Sequence, residues 1–321
     1  MKIRILAGLA ALLFTISAQA SLTTFQTYTG NVGLSTDGFG STSNAGTLTA
    51  NVPVGATILG AYLYSATYFG NHTTPPTTVT LAGSPVTLGL SGNNSFLASH
   101  RADVTSIVSS IIDPTNTGSA GGAFNFAINE GADGGRINGE ALVVVYSAAS
   151  MALGTVGILD GTSAFGGDTA TITYANPLDP GAAGFFAEMR LGISHSCCSQ
   201  ASTVKVNGTT ITNSAGDADD GAVANGALLT MGGDNDAYSA FLPSYSNDHE
   251  RYNLVPQISL GDTSITINTN NPSGDDDIFL ATFWTSGEGV ISVETPEPAS
   301  LMLMGLGLAG LGIARRRRTR S

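Results

Sequence analysis

Three short stretches gather hard oxygen ligands: Asp217-Ala218-Asp219-Asp220-Gly221, Asp234-Asn235-Asp236 and Asp275-Asp276-Asp277. Carboxylates packed this closely in Gly- or Asn-rich loops suit Ca²⁺, which takes roughly six to eight oxygens. The first stretch imitates the opening of an EF-hand loop and then fails it. Gly221 falls at the fifth position rather than the sixth, and no Glu stands at the twelfth. Asp217, Asp219, Asp220, Asp234, Asp236, Asp275, Asp276 and Asp277 are therefore the candidate calcium ligands, set against the plainer reading of solvated acidic turns. Calcium is the one cofactor these residues suggest.

Cys197 and Cys198 are the only cysteines, and they are adjacent. Neighbouring Cα atoms sit about 3.8 Å apart, against roughly 4.4–6.8 Å for ordinary disulfides. A bridge between them is therefore vicinal and strained; two free thiols, or links to another molecule, are the other readings. In an oxidising compartment the vicinal bridge is favoured. The four histidines, His72, His100, His195 and His249, are never three or four residues apart, so no local metal pair forms, and each reads as a loop or surface imidazole.

Hydrolytic chemistry has little to start from. There is no His-Glu-x-x-His, no Gly-x-Ser-x-Gly and no Walker-type phosphate loop. A glycosidase needs two facing carboxylates, and nothing in the sequence distinguishes Asp160, Glu140 or Glu188 as an acid with raised proton affinity. No catalytic residue is assigned, and the chain reads as non-enzymatic.

The charge is distributed unevenly. The formal net charge is −12, with only 11% of residues charged. Seven of the 12 basic residues, Lys2, Arg4, Arg315, Arg316, Arg317, Arg318 and Arg320, lie at the ends. Between residues 21 and 298 stand the other five, against all 24 Asp and Glu, so the middle carries −19. Such a body repels nucleic-acid phosphates and attracts divalent cations.

Both ends read as addresses. Residues 1–20 join a basic start to a short apolar stretch and end in Ala18-Gln19-Ala20, a small-x-small site. This is the pattern of a signal peptide cleaved between Ala20 and Ser21. Residues 299–314 are apolar apart from Ser300, and Arg315 to Arg318 follow directly. Sixteen residues make about 24 Å of helix against a hydrocarbon core of about 30 Å. Flanking residues can make up the difference, so 299–314 is expected to be a transmembrane helix with its Arg end cytoplasmic.

The elements that must position these residues are strands. Short β-rich runs occur at 58–64, 78–81, 86–88, 124–128, 141–146, 169–174, 185–193, 204–206, 265–267 and 278–284, with Gly, Asn, Asp, Thr and Pro between them. Residues 78–88 read as a hairpin turning at Ala82-Gly83. Residues 141–146 are continuously apolar, which marks a strand covered on both faces. The one helix candidate is 102–112, opened by Asp103 and stopped by Pro114. Trp284 lies inside a strand and reads as core. The fold class is all-β, a β-sandwich or jelly roll.

A faint internal echo pairs 78–83 with 203–208, 99–104 with 248–253 and 141–147 with 280–286, in the same order. Two arrangements fit: two tandem related sandwiches, or one large one. The tandem division places a signal peptide at 1–20, one sandwich at 21–165, a second at 166–293 and a terminal segment at 294–318.

That terminal segment holds Pro296-Glu297-Pro298, then a Gly-rich apolar stretch, then Arg315, Arg316, Arg317 and Arg318. Over about 25 residues it resembles the PEP-CTERM sorting signal. The resemblance implies recognition by exosortase, a membrane cysteine protease. It also implies a Gram-negative bacterium that exports a polysaccharide matrix. The protein would be an inner-membrane intermediate, then reside at the cell surface or in the extracellular matrix of a biofilm. Its partners would be exosortase, the inner membrane transiently and exopolysaccharide, with no nucleic acid.

The first half of the body is similar to the DUF3344 surface domains. The carrying residues are Val52-Pro53-Val54-Gly55-Ala56-Thr57-Ile58, Ala61-Tyr62-Leu63-Tyr64, Ala102-Asp103-Val104-Thr105, Gly139 to Tyr146, and Leu159-Asp160-Gly161. Ser65 departs from the pattern, where many relatives carry Trp. That resemblance brings no known reaction. Three function classes follow: a non-enzymatic surface or matrix protein, a carbohydrate-binding or adhesive module, and, behind both, a secreted hydrolase.

Overall fold

Alternation of apolar and small polar residues, broken every few positions by Gly, Asn or Asp, yields strands almost everywhere it occurs. The structure, a computed structural model, describes residues 21–164, 166–195, 201–216, 220–221, 229–271 and 277–294. Its strands, in chain order, are β1 Thr23–Gly30, β2 Val32–Gly40, β3 Ala45–Val52, β4 Thr57–Tyr68, β5 Thr80–Leu81, β6 Ser84–Pro85, β7 Gly89–Asn93 and β8 Leu97–Asp103. After helix α1, Thr105–Ile112, come β9 Gly122–Asn129, β10 Ile137–Ser147, β11 Gly154–Asp160, β12 Thr169–Tyr174, β13 Ala187–Ser194 and β14 Ser202–Val206. The last are β15 Thr209–Ala215, β16 Leu229–Met231, β17 Arg251–Asn253, β18 Ser264–Asn270, β19 Asp277–Ser286 and β20 Gly289–Glu294.

Four antiparallel sheets result. The first inner sheet runs β2-β10-β4-β8-β7, and the first outer sheet β3-β9-β5-β6. The second inner sheet runs β1-β11-β19-β13-β16, with β17 also on β13, and the second outer sheet β15-β14-β18-β12-β20. Three apolar cores lie between them. Leu142, Val144 and Tyr146 of β10 pack toward the first outer sheet. Ala141, Val143 and Val145 face Val156, Ile158 and Leu280 of the second inner sheet. Met189, Leu191 and Phe283 meet Ile172, Val204 and Ile265 of the second outer sheet. The stacking order is therefore outer, inner, inner, outer, and β10 is covered on both faces, as its unbroken apolar run requires.

Eight strands of each half correspond in order. Order β2-β10-β4-β8 is matched by β11-β19-β13-β17, and β3-β9-β5-β6 by β12-β18-β14-β15. The equivalent hairpins β5–β6 and β14–β15 each turn on two residues with positive φ, Ala82 (49°) and Gly83 (76°), and Asn207 (48°) and Gly208 (80°). That is the type I′ turn, whose twist matches the strands it joins. β1 crosses over: it precedes the first half in the chain but pairs with β11 of the second.

Helix α1 starts three residues later than its sequence pattern suggests. Ala102 and Asp103 are held in β8 by pairing with Leu63 and Tyr62 of β4, so the helix begins only after them. Asp103 Oδ1 still accepts from the Thr105 N–H at 2.9 Å. Among the described residues no helix is long and apolar enough to cross a membrane, and the expected span 299–314 lies outside them.

Candidate functional site: an aromatic groove at the seam of the two halves

Three neighbouring strands of the second inner sheet place Trp284, Glu188 and Asn253 side by side. Glu188 of β13 pairs with Trp284 of β19 on one side and Asn253 of β17 on the other. Ser150, Met151 and Ala152, from the link between β10 and β11, close one wall. Phe185 and Phe186, ahead of β13, and Tyr238 complete a depression of about 440 Å³. Trp284 is half-buried and lines this depression, which corrects its reading as core.

The aromatic rings are fixed by polar contacts behind them. Trp284 Nε1 donates to the Val32 carbonyl at 3.1 Å. Its ring meets that of Phe186 at 4.7 Å between centroids. The Tyr238 hydroxyl donates to Glu188 Oε2, and the Arg251 guanidinium lies over the Tyr238 ring, 4.7 Å from its centroid. Half of Tyr238 is exposed (50%).

Behind Glu188 lies Arg190, only 1% exposed. Its Nε donates to Glu188 Oε1 at 2.7 Å, and its Nη1 to Asp234 Oδ1 at 2.6 Å and to Thr36 Oγ1 at 2.8 Å. Burial alone would weaken its proton affinity. The carboxylates Glu188 and Asp234 outweigh that and hold it above the usual arginine value. Asp234 Oδ2 also accepts from the Ser35 hydroxyl at 2.5 Å. The network thus ties β2 of the first half to β13 of the second, and the groove rests on it.

A second polar cluster lies inside the first half. Glu140, Ser65 and His100 are cross-strand neighbours on β10, β4 and β8, and all are fully buried. Glu130, at the end of β9, faces Glu140. Burial first, and then the Glu130 charge, drive the Glu140 carboxyl far above its ordinary range. Glu130 is pushed up to about 7 by burial, against hydrogen bonds from Ser41 and Glu140. Burial pushes His100 down to about 4, with its Nε2 at 2.9 Å from both Thr67 Oγ1 and the His72 carbonyl. So the structure singles out Glu140, and His100 is a core imidazole rather than a surface one. Asp160 is also raised by burial, although Arg101 and Tyr64 hydrogen-bond to it. No local sequence signal marks these groups, because each shift comes chiefly from burial, which the packing of the folded chain creates.

The acidic stretches are dispersed. Asp220 takes the Gly40 N–H on its carbonyl and the Met231 N–H on its carboxylate. Asp234 is committed to Arg190 and Ser35, and Asp236 Oδ2 accepts from the Gly233 N–H at 2.6 Å. Asp277 Oδ1 accepts from the N–H and hydroxyl of Ser163, both at 2.9 Å. Asp37, raised to about 6 chiefly by burial, is nudged further by Asp236 and Asp234. Among the described residues no group of three or more His, Cys, Asp or Glu is placed to hold a metal ion. Asp217, Asp219, Asp275, Asp276, Cys197, Cys198, Ala20, Pro296, Glu297, Pro298 and Arg315 to Arg318 lie outside the described residues. Ser21 is described, and its hydroxyl donates to Asp168 Oδ1 at 2.7 Å.

Comparison with known proteins agrees at both levels. Residues 17–219 match the family described as a protein of unknown function (DUF3344), and residues 294–318 match the PEP-CTERM protein-sorting motif. The first match spans more than half of the chain, and the protein belongs to the DUF3344 family. It extends past the first half, into the second as far as β15 and beyond. The motif marks an exported protein that passes through the membrane and is processed by exosortase. No curated protein and no solved structure matches.

Proposed function

We propose that the mature protein is a non-enzymatic component of the cell surface or extracellular matrix, delivered there by exosortase. The observation that carries this is positional. The sorting motif begins at Glu294, the residue on which the last strand, β20, ends. The tag is thus appended to a body whose three cores are complete without it. The non-enzymatic part is supported by burial: Glu130 and Glu140, two carboxyls with raised proton affinity, have no exposed surface on which to meet a substrate, and Asp37, Asp160 and Asp168, raised as well, are buried too.

The body is read as two tandem related jelly rolls, supported by the matching order of eight strands in each half. We draw the division in the link at 148–153, in place of the one at 165. Calcium held by the acidic loops stays part of the proposal. Millimolar CaCl₂ should raise the melting temperature more than NaCl of equal ionic strength, because only a bound cation stabilises by mass action.

Mass spectrometry of the exported protein tests the sorting reading. Mature chains from a host with exosortase should lack the apolar segment and the Arg run. An intact Ser321 on released protein overturns it. A second reading, a carbohydrate-binding module, is favoured by one observation, the row of aromatic rings along the seam groove.

A further inference from the structure

We infer that the seam groove is a binding site for a neutral hexose polymer, with Tyr238, Phe186 and Trp284 as its stacking platforms. This rests on the carbohydrate-binding reading and names its site and ligand class.

The groove is long enough for a polymer. The central depression of about 440 Å³ shares Phe185 with a neighbour of about 220 Å³. On the other side it shares Tyr238 and Asn253 with one of about 320 Å³. The run of three has the volume of a site for several small units rather than one. Aromatic side chains recur along it, from Phe185 through Phe186 and Trp284 to Tyr238 and Phe241.

The rings are offered as faces, not as donors. The Trp284 N–H and the Tyr238 O–H are already spent on Val32 and Glu188. Glu188 in turn is engaged by Arg190, Arg251 and Tyr238. Arg251 covers one face of Tyr238. What remains available is the exposed half of that ring and the half-buried surfaces of Phe186 and Trp284. The negative face of such π surface attracts weakly positive C–H groups. A pyranose presents such a C–H face, with hydroxyls around its rim. The exposed Asn253, beside Glu188, keeps its Nδ2 to meet those hydroxyls, while its Oδ1 accepts from the Val255 N–H at 3.1 Å. Tyr238 and Trp284 do not have to be ordered on binding, since their hydrogen bonds to Glu188 and Val32 already fix them.

Charge decides between glycan classes. The body carries −19 between residues 21 and 298, and Glu288 and Asp179 line the outer depression. A polyuronate would be repelled along its whole length. A neutral polymer meets no such barrier, and its binding should depend little on salt.

The test uses the full chain in mild detergent, in affinity electrophoresis and pull-down with laminarin, mannan and galactan as neutral probes and alginate as the anionic one. The expected result is retention by at least one neutral polymer, none by alginate, and little change with added salt. Tyr238→Ala and Phe186→Ala should each weaken retention by about threefold to tenfold. Phe69→Ala, at a separate exposed aromatic patch, should leave it unchanged. A melting curve for each variant separates lost binding from lost folding, and Tyr238→Phe, which keeps the ring, should still bind. Binding to alginate alone overturns the neutral-polymer inference and leaves the carbohydrate-binding reading standing. Neutral binding that survives both groove variants overturns this site. Retention by none of the four polymers overturns the inference and the reading together.

Discussion

The Tyr238 hydroxyl donates to the Glu188 carboxylate, joining an exposed ring of the groove to the buried Arg190 behind it. The groove surface and the seam between the halves therefore share one hydrogen-bonded network. Changes to the network should be felt in folding before they are felt in binding.

Arg190→Met tests the network. The substitution leaves Glu188 and Asp234 without their main counter-charge in a water-poor site. Breaking one partner of a buried ion pair typically costs about 3–5 kcal/mol. Urea unfolding at neutral pH should show a loss of that order. Acidification, which lets the orphaned carboxylates take up protons, should shrink the gap between variant and wild type. A loss below about 1 kcal/mol would mean that the network contributes little to the seam.

The buried pair Glu130–Glu140 gives a stability profile of definite sign. Both carboxyls have folded-state proton affinity above the ordinary glutamate value. Their contribution is fully present below the unfolded value near 4.5 and is lost as pH rises through about 7, the value for Glu130. His100 acts in the opposite sense: held down to about 4, it contributes fully above 6.5, and that is lost as pH falls toward 4. Glu140→Gln removes one titrating partner and puts an amide donor beside Glu130. Denaturant midpoints from pH 6 to 9 should fall throughout for wild type, whereas the variant should fall only up to about 7, where Glu130 finishes ionising, and stay level above it. Parallel profiles would contradict the assignment.

Local pattern carried much of the fold and little of the site. β10 was legible because six successive apolar residues need cover on both faces. β12 was legible because Thr169–Tyr174 alternates cleanly. β2 was not: Val-Gly-Leu-Ser-Thr-Asp-Gly-Phe-Gly is polar and Gly-rich, yet Ser35, Thr36 and Asp37 are buried. Their cover comes from Asp234, Arg190 and the Thr49 N–H, two of them roughly 150–200 residues away. Glu140 had the same problem, since its partner Glu130 stands in the turn after β9 and meets it only once the chain has folded back into β10. Trp284 was placed correctly on a strand, but its exposure depended on where the link at 148–153 folds back. Burial made by distant partners leaves no periodic trace.

The paired type I′ hairpins give a comparison within one molecule. Ala82 occupies the left-handed position that Asn207 fills in the second half. An L-residue there costs about 1–2 kcal/mol, and Asn tolerates it better. Ala82→Asn should therefore stabilise the protein by about 0.5–1 kcal/mol. Asn207→Ala should do the reverse and more. It also removes bonds from Nδ2 to the Gln257 carbonyl and from the Thr266 N–H to Oδ1, both 2.9 Å. A loss of about 2 kcal/mol is expected. Thermal unfolding of the two variants checks the pair, and shifts of the same sign would refute the strain argument.

Phe25 supplies the last test, of how the crossing strand β1 is held. The register of β1 on β11 skips at this residue, passing from Thr24 opposite Leu159 to Gln26 opposite Ile158. A bulge re-aims a side chain, and here it turns Phe25 toward the first half. The ring meets Tyr62 of β4 edge-on at 4.9 Å between centroids. The Arg101 guanidinium of β8 lies 3.5 Å above its centre, while the same arginine pairs with Asp160 of β11. One ring on a second-half strand thus packs against two strands of the first half. Phe25→Ala loses half-buried ring area and the cation–π contact, for about 2–3 kcal/mol together. Phe25→Leu keeps most of the area and should lose only about 0.5–1 kcal/mol. If β1 couples the halves, the alanine variant should also broaden or split the urea transition, because one half can then unfold ahead of the other. A single transition of unchanged slope, with Ala and Leu equally mild, would show that backbone pairing with β11 holds β1 without the ring.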